Sequence, residues 1–131
     1  MDKLNLEVPE TVRVQARLNK GAKLFKNIVN AIRDKKGEEI VCLDLKKIDE
    51  AVADFFIICE AKSWVQVNAI ADHIVETTAA ECGEKPFHLE PGEKWMILDY
   101  VNVVVHIFQQ EQRLFYNLEG LWEDAPKTVF Q

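Results

Sequence analysis

Apolar residues recur along this chain at two spacings, and the spacing marks the elements. Leu24, Ile28, Val29 and Ile32 follow the helical period, which predicts a helix over residues 11–36 that Gly37 can end. Gly21 lies inside that pattern and weakens it by ~1 kcal/mol relative to alanine, so the part before it is expected to form a separate or mobile arm. Residues 40–45 (Ile-Val-Cys-Leu-Asp-Leu) are short and β-branched at their start and read as a strand. Residues 55–59 (Phe-Phe-Ile-Ile-Cys) are apolar on both faces, the pattern of a central strand covered on both sides. The charged stretch between them, 46–54, reads as a loop.

Residues 63–82 give the clearest helix. Ser63 and Gln66 have the spacing of a capping box, Val67, Ile70, Ala71, Ile74 and Thr78 form a buried stripe, and Gly83 supplies a left-handed closing residue. A short strand at 86–90 and a Pro91-Gly92 turn follow. Residues 94–99 and 102–108 are close enough to make a hairpin around Tyr100 and Val101. Residues 111–122 form the last helix, with Leu114, Phe115, Leu118, Leu121 and Trp122 on one face and Arg113, Tyr116, Asn117 and Gly120 on another. The tail from Glu123 is expected to fray. The sum is one domain of the α/β class, a mixed five-stranded sheet with flanking helices.

Composition narrows the function classes. The 131 residues are enough to bury a core without disulfide or metal. No apolar run reaches the ~18 residues of a membrane span, and residues 1–10 hold no secretory signal, so the chain is expected in the cytoplasm. Cys42, Cys59 and Cys82 are odd in number and form no Cys-x-x-Cys, which suits buried thiols in a reducing compartment. The net charge of −6 conceals an asymmetry. Residues 12–36 carry eight basic side chains (Arg13, Arg17, Lys20, Lys23, Lys26, Arg33, Lys35 and Lys36) against Asp34 alone, whereas residues 37–131 carry seven basic and eighteen acidic ones. Such a chain is either a basic helix in front of a solvated acidic body, or an acidic surface for a basic partner with an arm that tolerates phosphate.

Catalytic patterns are scarce. Glycine-rich phosphate loops and a nucleophile elbow are missing, and His73, His88 and His106 lack the spacing of a helical zinc pair. Neither a metal nor a cofactor is implied. Asp44, Asp54 and Asp99 stand at or near strand ends and could hold a divalent metal in a nucleotidyltransferase-like site, but loop-capping carboxylates account for them more simply. Aromatic residues in polar surroundings say more. Trp95 follows Glu93-Lys94, Tyr100 sits at a hairpin tip, and Tyr116 shares a helix face with Arg113. Trp, Tyr and Arg dominate binding hot spots, although each can equally pack with its polar tip in water.

These runs resemble the ribosomal silencing factors, the RsfS or Iojap family. The resemblance rests on Asp54-Phe55-Phe56-Ile57-Ile58-Cys59 with Ser63 and residues 67–72, on Trp95-Met96-Ile97-Leu98-Asp99-Tyr100 with residues 103–108, and on residues 113–119 with Leu121-Trp122. It runs from about residue 24 to about 126, leaving 1–23 as a basic, partly helical extension and 127–131 as a tail. It implies a fold related to the nucleotidyltransferases but lacking their catalytic residues, and no enzyme activity. It implies binding to a basic protein, ribosomal protein fourteen, on the intersubunit face of the large subunit, where the factor blocks subunit joining and represses translation. It also implies frequent homodimers. Two loops depart from the family pattern, Glu60-Ala61-Lys62-Ser63 before the second helix and Val101-Asn102 at the hairpin tip, where Asn102 is expected to carry left-handed strain or the loop to be longer.

Residue reading and resemblance converge on one set of partner-binding residues: Trp95, Asp99, Tyr100, His106, Arg113 and Tyr116. Trp95 would bury its ring against the partner and Asp99 would pair with a lysine or arginine. Tyr100, Arg113 and Tyr116 would flank them, with His106 supporting the sheet beneath. The basic first helix would touch ribosomal RNA. The other classes are a large-subunit assembly factor, a metal-dependent nucleotidyltransferase-like enzyme, and a dimeric adaptor that does not bind ribosomes.

Overall fold

The computed structural model describes residues 10–130, with side chains described for Thr11 and from Gly21 onward. Residues 1–9 and the side chains of Arg13, Arg17 and Lys20 lie outside the described residues, and with them much of the expected basic extension. The elements are α1 (Glu10–Asp34), β1 (Glu38–Asp44), β2 (Phe55–Ala61), α2 (Trp64–Cys82), β3 (His88–Pro91), β4 (Trp95–Asp99), β5 (Val103–Gln109), α3 (Gln110–Tyr116), α4 (Leu118–Leu121) and β6 (Lys127–Phe130). The sheet has six strands in the order β3-β4-β5-β2-β1-β6. Only β2 and β5 run parallel; the other neighbours are antiparallel. The mixed α/β class holds, but the sheet gains a strand from the segment expected to fray. Thr128 and Phe130 oppose Cys42 and Ile40, and β1 would otherwise be an open edge of apolar residues.

Strand alternation sends alternate side chains to opposite faces. On one face α1 and α2 pack Leu24, Ile28, Ile32, Val67, Ile70 and Ile74 against Ile57, Cys59, Leu98, Val105 and Ile107. On the other, Val41, Leu43, Phe56, Ile58, Val104 and Phe108 meet the 46–54 loop and, from the C-terminal segment, Leu118, Trp122 and Ala125. With both faces covered, β2 and β5 are buried almost throughout, as their unbroken apolar runs require. The buried stripe of α2 is Val67, Ile70, Ala71, Ile74 and Thr78, as its periodicity predicts.

Both ends of α2 obey local chemistry, with one exception. Ser63 Oγ accepts the Gln66 N–H at 3.1 Å, and Gly83 closes the helix at φ 64. The Gln66 amide does not return to the cap. It donates to the carbonyls of Lys35 and Lys36 and ties the end of α1 to the start of α2. Helix α1 runs unbroken through Gly21, so no separate arm begins there. At its end Lys36, not Gly37, takes the left-handed conformation. Gly37 is held to the smallest side chain for another reason, since a Cβ there would overlap Ile32.

The expected last helix is two. Asn117 adopts φ 47, its N–H donates to the Arg113 carbonyl, and its Oδ1 accepts the Gly120 N–H. This break turns Leu118 and Trp122 into the sheet and leaves Leu114, Phe115 and Leu121 outside, where a continuous helix would have kept all five on one stripe.

Candidate protein-docking surface

On β4 the alternation is plain: Met96 and Leu98 are buried towards α2, and Trp95, Ile97 and Asp99 are half-buried on the opposite face. Their cross-strand partners on β5 are Phe108, His106 and Val104. On the other side His88 and Glu90 of β3 stand opposite Asp99 and Ile97. The short helices α3 and α4 border this face and cover it only in part. Tyr116 lies at its margin, and Leu114, Phe115 and Leu121 are 83%, 79% and 73% exposed. Exposed apolar residues gathered on one side of a small domain mark an interaction surface.

Trp95 is the centre of an aromatic cluster. Its ring stacks on Phe108 at 4.8 Å and touches Tyr116 at 4.7 Å, and Phe115 meets Tyr116 edge-on at 5.2 Å. The indole N–H donates to His106 Nδ1 at 3.2 Å. His106 is buried, and burial pushes its pKa down from 6.5 to about 3. The ring is therefore neutral, with its proton on Nε2. Asp99 sits where β4 enters the hairpin, and its Oδ1 accepts the Val101 N–H at 2.7 Å.

Two residues expected here lie elsewhere. Tyr100 directly follows Asp99, the last residue of β4, so its side chain turns to the α2 face. It is buried there with its hydroxyl 2.8 Å from Thr78 Oγ1. Because Thr78 donates to the Ile74 carbonyl, Tyr100 is the donor. Burial raises its pKa. Arg113 is also buried. Its Nη1 donates to Glu60 at 3.0 Å and to the Glu39 carbonyl at 2.7 Å, while Nε and Nη2 form a fork on Glu119 at 3.0 and 3.2 Å. Burial alone would lower the Arg113 pKa, but Glu119 and Glu60 reverse the sign. For Glu119 burial acts upward, and Arg113 with Lys127 outweighs it and holds the carboxyl below the ordinary range. Arg113 anchors α3 to β1 and β2; it is not a surface contact.

At the hairpin tip the strain falls on Val101 itself, at φ 75, with the Asn102 N–H bonded to the Tyr100 carbonyl. That is the rare positive-φ γ-turn, unfavourable for a β-branched residue and held here by the Asp99 carboxylate. The strand-end carboxylates behave mainly as loop caps. Asp44 accepts the Lys46 N–H and Asp99 that of Val101. Asp44 and Asp54 line a groove between α1, β1 and β6, but Asp99 does not share it. Among the described residues no three His, Cys, Asp or Glu side chains converge as metal ligands, and no helix is long and apolar enough to cross a membrane. Burial raises the Cys42 and Cys59 thiols to about 12.

The comparisons with known proteins agree with this architecture. A family model described as "Ribosomal silencing factor during starvation" matches residues 19–131. The chain belongs to the ribosomal silencing factor family. A protein of Halalkalibacterium halodurans named "Ribosomal silencing factor RsfS" is 45% identical over 110 residues, covering 82% of this chain and 92% of its own length. The Bacillus subtilis protein of the same name is 41% identical over 105 residues, covering 79% and 87%. A maize protein named "Protein Iojap, chloroplastic" is 41% identical over 76 residues, which are 54% of this chain and 31% of the maize protein. A crystal structure from Bacillus halodurans superimposes with TM-score 0.69 at 40% identity, covering 83% of this chain and 99% of that one. One from Chromobacterium violaceum gives 0.71 at 29% identity, covering 78% and 85%.

Of the six expected residues, Trp95, Asp99 and His106 share one sheet face with Tyr116 at its margin, and Tyr100 and Arg113 are buried elsewhere. Ile97 and Phe108 lie on the same face of the sheet, and Leu114, Phe115 and Leu121 are exposed. The alternation of β4 carried the signal for Ile97, which lies between Trp95 and Asp99.

Proposed function

We propose that this silencing factor binds the large ribosomal subunit through the face built on Trp95, Ile97, Asp99, Tyr116, Phe115, Leu114 and Leu121. Its partner there is the basic ribosomal protein fourteen. The observation that carries this reading is the aromatic cluster of Trp95, Tyr116 and the exposed Phe115 beside β4, with Asp99 and Glu90 on the same face of the sheet. Apolar anchors ringed by charge are how small domains make tight protein contacts. An acidic surface speeds encounter with a basic protein.

The mechanism is steric. A 15.1 kDa body lodged where the two subunits meet excludes the small subunit and lowers translation without any chemical step. The exposed Lys23, Lys26 and Arg33 of α1, with Lys35 and Lys36 in the turn after it, would lie against ribosomal RNA and make binding weaken as salt rises. Self-association is a separate expectation of the family, read by sedimentation velocity of the free protein. The factor would act in whichever compartment holds its ribosomes.

Sedimentation with purified subunits tests the reading. Comigration with the large subunit alone, with loss of joined ribosomes when both subunits are mixed, supports it. Comigration without loss of joining points to an assembly role, and no comigration overturns the docking surface.

A further inference from the structure

The bond between Trp95 and His106 decides what the docking surface can offer. A tryptophan at a protein interface usually presents an apolar ring together with an N–H donor. Here the donor is turned inward and used at 3.2 Å by His106 Nδ1. The histidine ring is itself wedged in the sheet, edge-to-face with Phe56 at 4.5 Å, and is only 5% exposed. Its other nitrogen, Nε2, has no hydrogen-bond partner among the described residues. An unpaired buried N–H opposes folding, because its lost hydration is not replaced. A phenylalanine at this position would pack without that cost. What only the histidine supplies is the acceptor aimed at the indole.

We propose that His106 is a positioning residue: it fixes the Trp95 indole against Phe108 with its N–H spent internally, so that Trp95 offers a partner apolar ring surface and no hydrogen-bond donor. This rests on the docking reading above and specifies the partner's chemistry. The group that meets Trp95 is aliphatic, or the methylene stem of a lysine or arginine, and not a carbonyl or carboxylate seeking the indole N–H. Four strand residues further on, roughly 13 Å away at ~3.3 Å per residue, Asp99 takes a cation. Ile97 lies between them on the same face. The partner surface thus presents an apolar contact and a basic side chain separated by about that distance. Neutral imidazole is needed throughout, because a proton on Nδ1 would replace the acceptor with a donor facing another donor. The depressed pKa keeps the ring in that form at any ordinary pH.

The first test uses the full-length protein labelled with nitrogen-15 in tryptophan and histidine. A through-hydrogen-bond nitrogen–nitrogen coupling between Trp95 Nε1 and His106 Nδ1, with slow exchange of that indole proton, is expected. Absence of the coupling overturns the proposal without any variant. The second test compares His106→Phe, which keeps the ring, with His106→Asn, whose Oδ1 can stand where Nδ1 stood. Affinity for purified large subunits is expected to fall about tenfold for the first and to recover to within about threefold for the second, with both variants checked for folding by denaturant titration. Wild-type affinity in a folded His106→Phe protein overturns the positioning role. Unchanged subunit binding by Trp95→Ala, when the wild-type protein shows the coupling, overturns instead the docking reading on which the proposal rests.

Discussion

Replacing Arg113 by methionine separates an anchor from a surface contact. In the wild type the Arg113 and Glu60 side chains are 9% and 10% exposed, and the guanidinium serves Glu60, Glu119 and the Glu39 carbonyl together. Methionine keeps the apolar stem and removes every donor. Among the described residues Glu60 then retains only the Gln110 amide at 2.9 Å and becomes a buried carboxylate without a counter-charge. Leaving one partner of a buried pair costs about 3–5 kcal/mol. Glu119, which is 24% exposed, keeps water and Lys127 and adds little. With a urea dependence of ~2 kcal/mol per molar for a chain of this size, the unfolding midpoint should fall by roughly 2 M. Pairing Arg113→Met with Glu60→Met removes the stranded charge and should recover at least half of the loss. The assay is equilibrium urea unfolding of the three proteins. A single-variant loss under ~1 kcal/mol, or weaker subunit binding at unchanged stability, would refute the anchor and return Arg113 to the docking surface.

Three further outcomes follow from the same geometry. Phe115→Ser should change unfolding free energy by less than about 0.5 kcal/mol, since the ring is in solvent, yet weaken large-subunit binding at least tenfold, read by sedimentation; equal binding would remove it from the docking surface. Tyr100→Phe should lose ~1 kcal/mol in urea titration for the buried bond to Thr78 and leave subunit binding unchanged, confirming that this hydroxyl faces the helix side. His106 gives a pH signature. Its folded pKa lies below its unfolded value, so between pH 6.5 and about 3 the unfolded state takes up a proton that the native state refuses, and stability falls with pH by up to ~1.4 kcal/mol per unit. Relative to wild type, His106→Asn should show a shallower fall across that window; parallel curves would contradict the buried neutral ring.

The sheet and its two long helices were legible in the sequence because local pattern and burial agree there. The stripe of α2 and the doubly apolar runs of β2 and β5 could be covered in only one way. Strand β6 was hidden because Lys-Thr-Val-Phe is short and follows a proline, and its stability comes from β1 as a partner. The division of the last helix depends on Asn117, which tolerates the left-handed conformation but does not announce it. That single residue decides which apolar side chains face the sheet, so the exposed patch could not be read from helical spacing. Arg113 was misread for a related reason: its partners Glu60 and the Glu39 carbonyl lie 53 and 74 residues away in sequence. Tyr100 was misplaced by grouping it with Asp99 at the hairpin, although strand alternation separates them.

The most direct test of the account is subunit joining measured by light scattering, with purified small and large subunits mixed after the large subunit has been incubated with the protein. Joining should be suppressed in proportion to the protein bound on the large subunit, and a Trp95→Ala/Phe115→Ser variant of normal stability should fail to suppress it. Undiminished joining on large subunits saturated with the wild-type protein, or full suppression by that variant, would contradict the account.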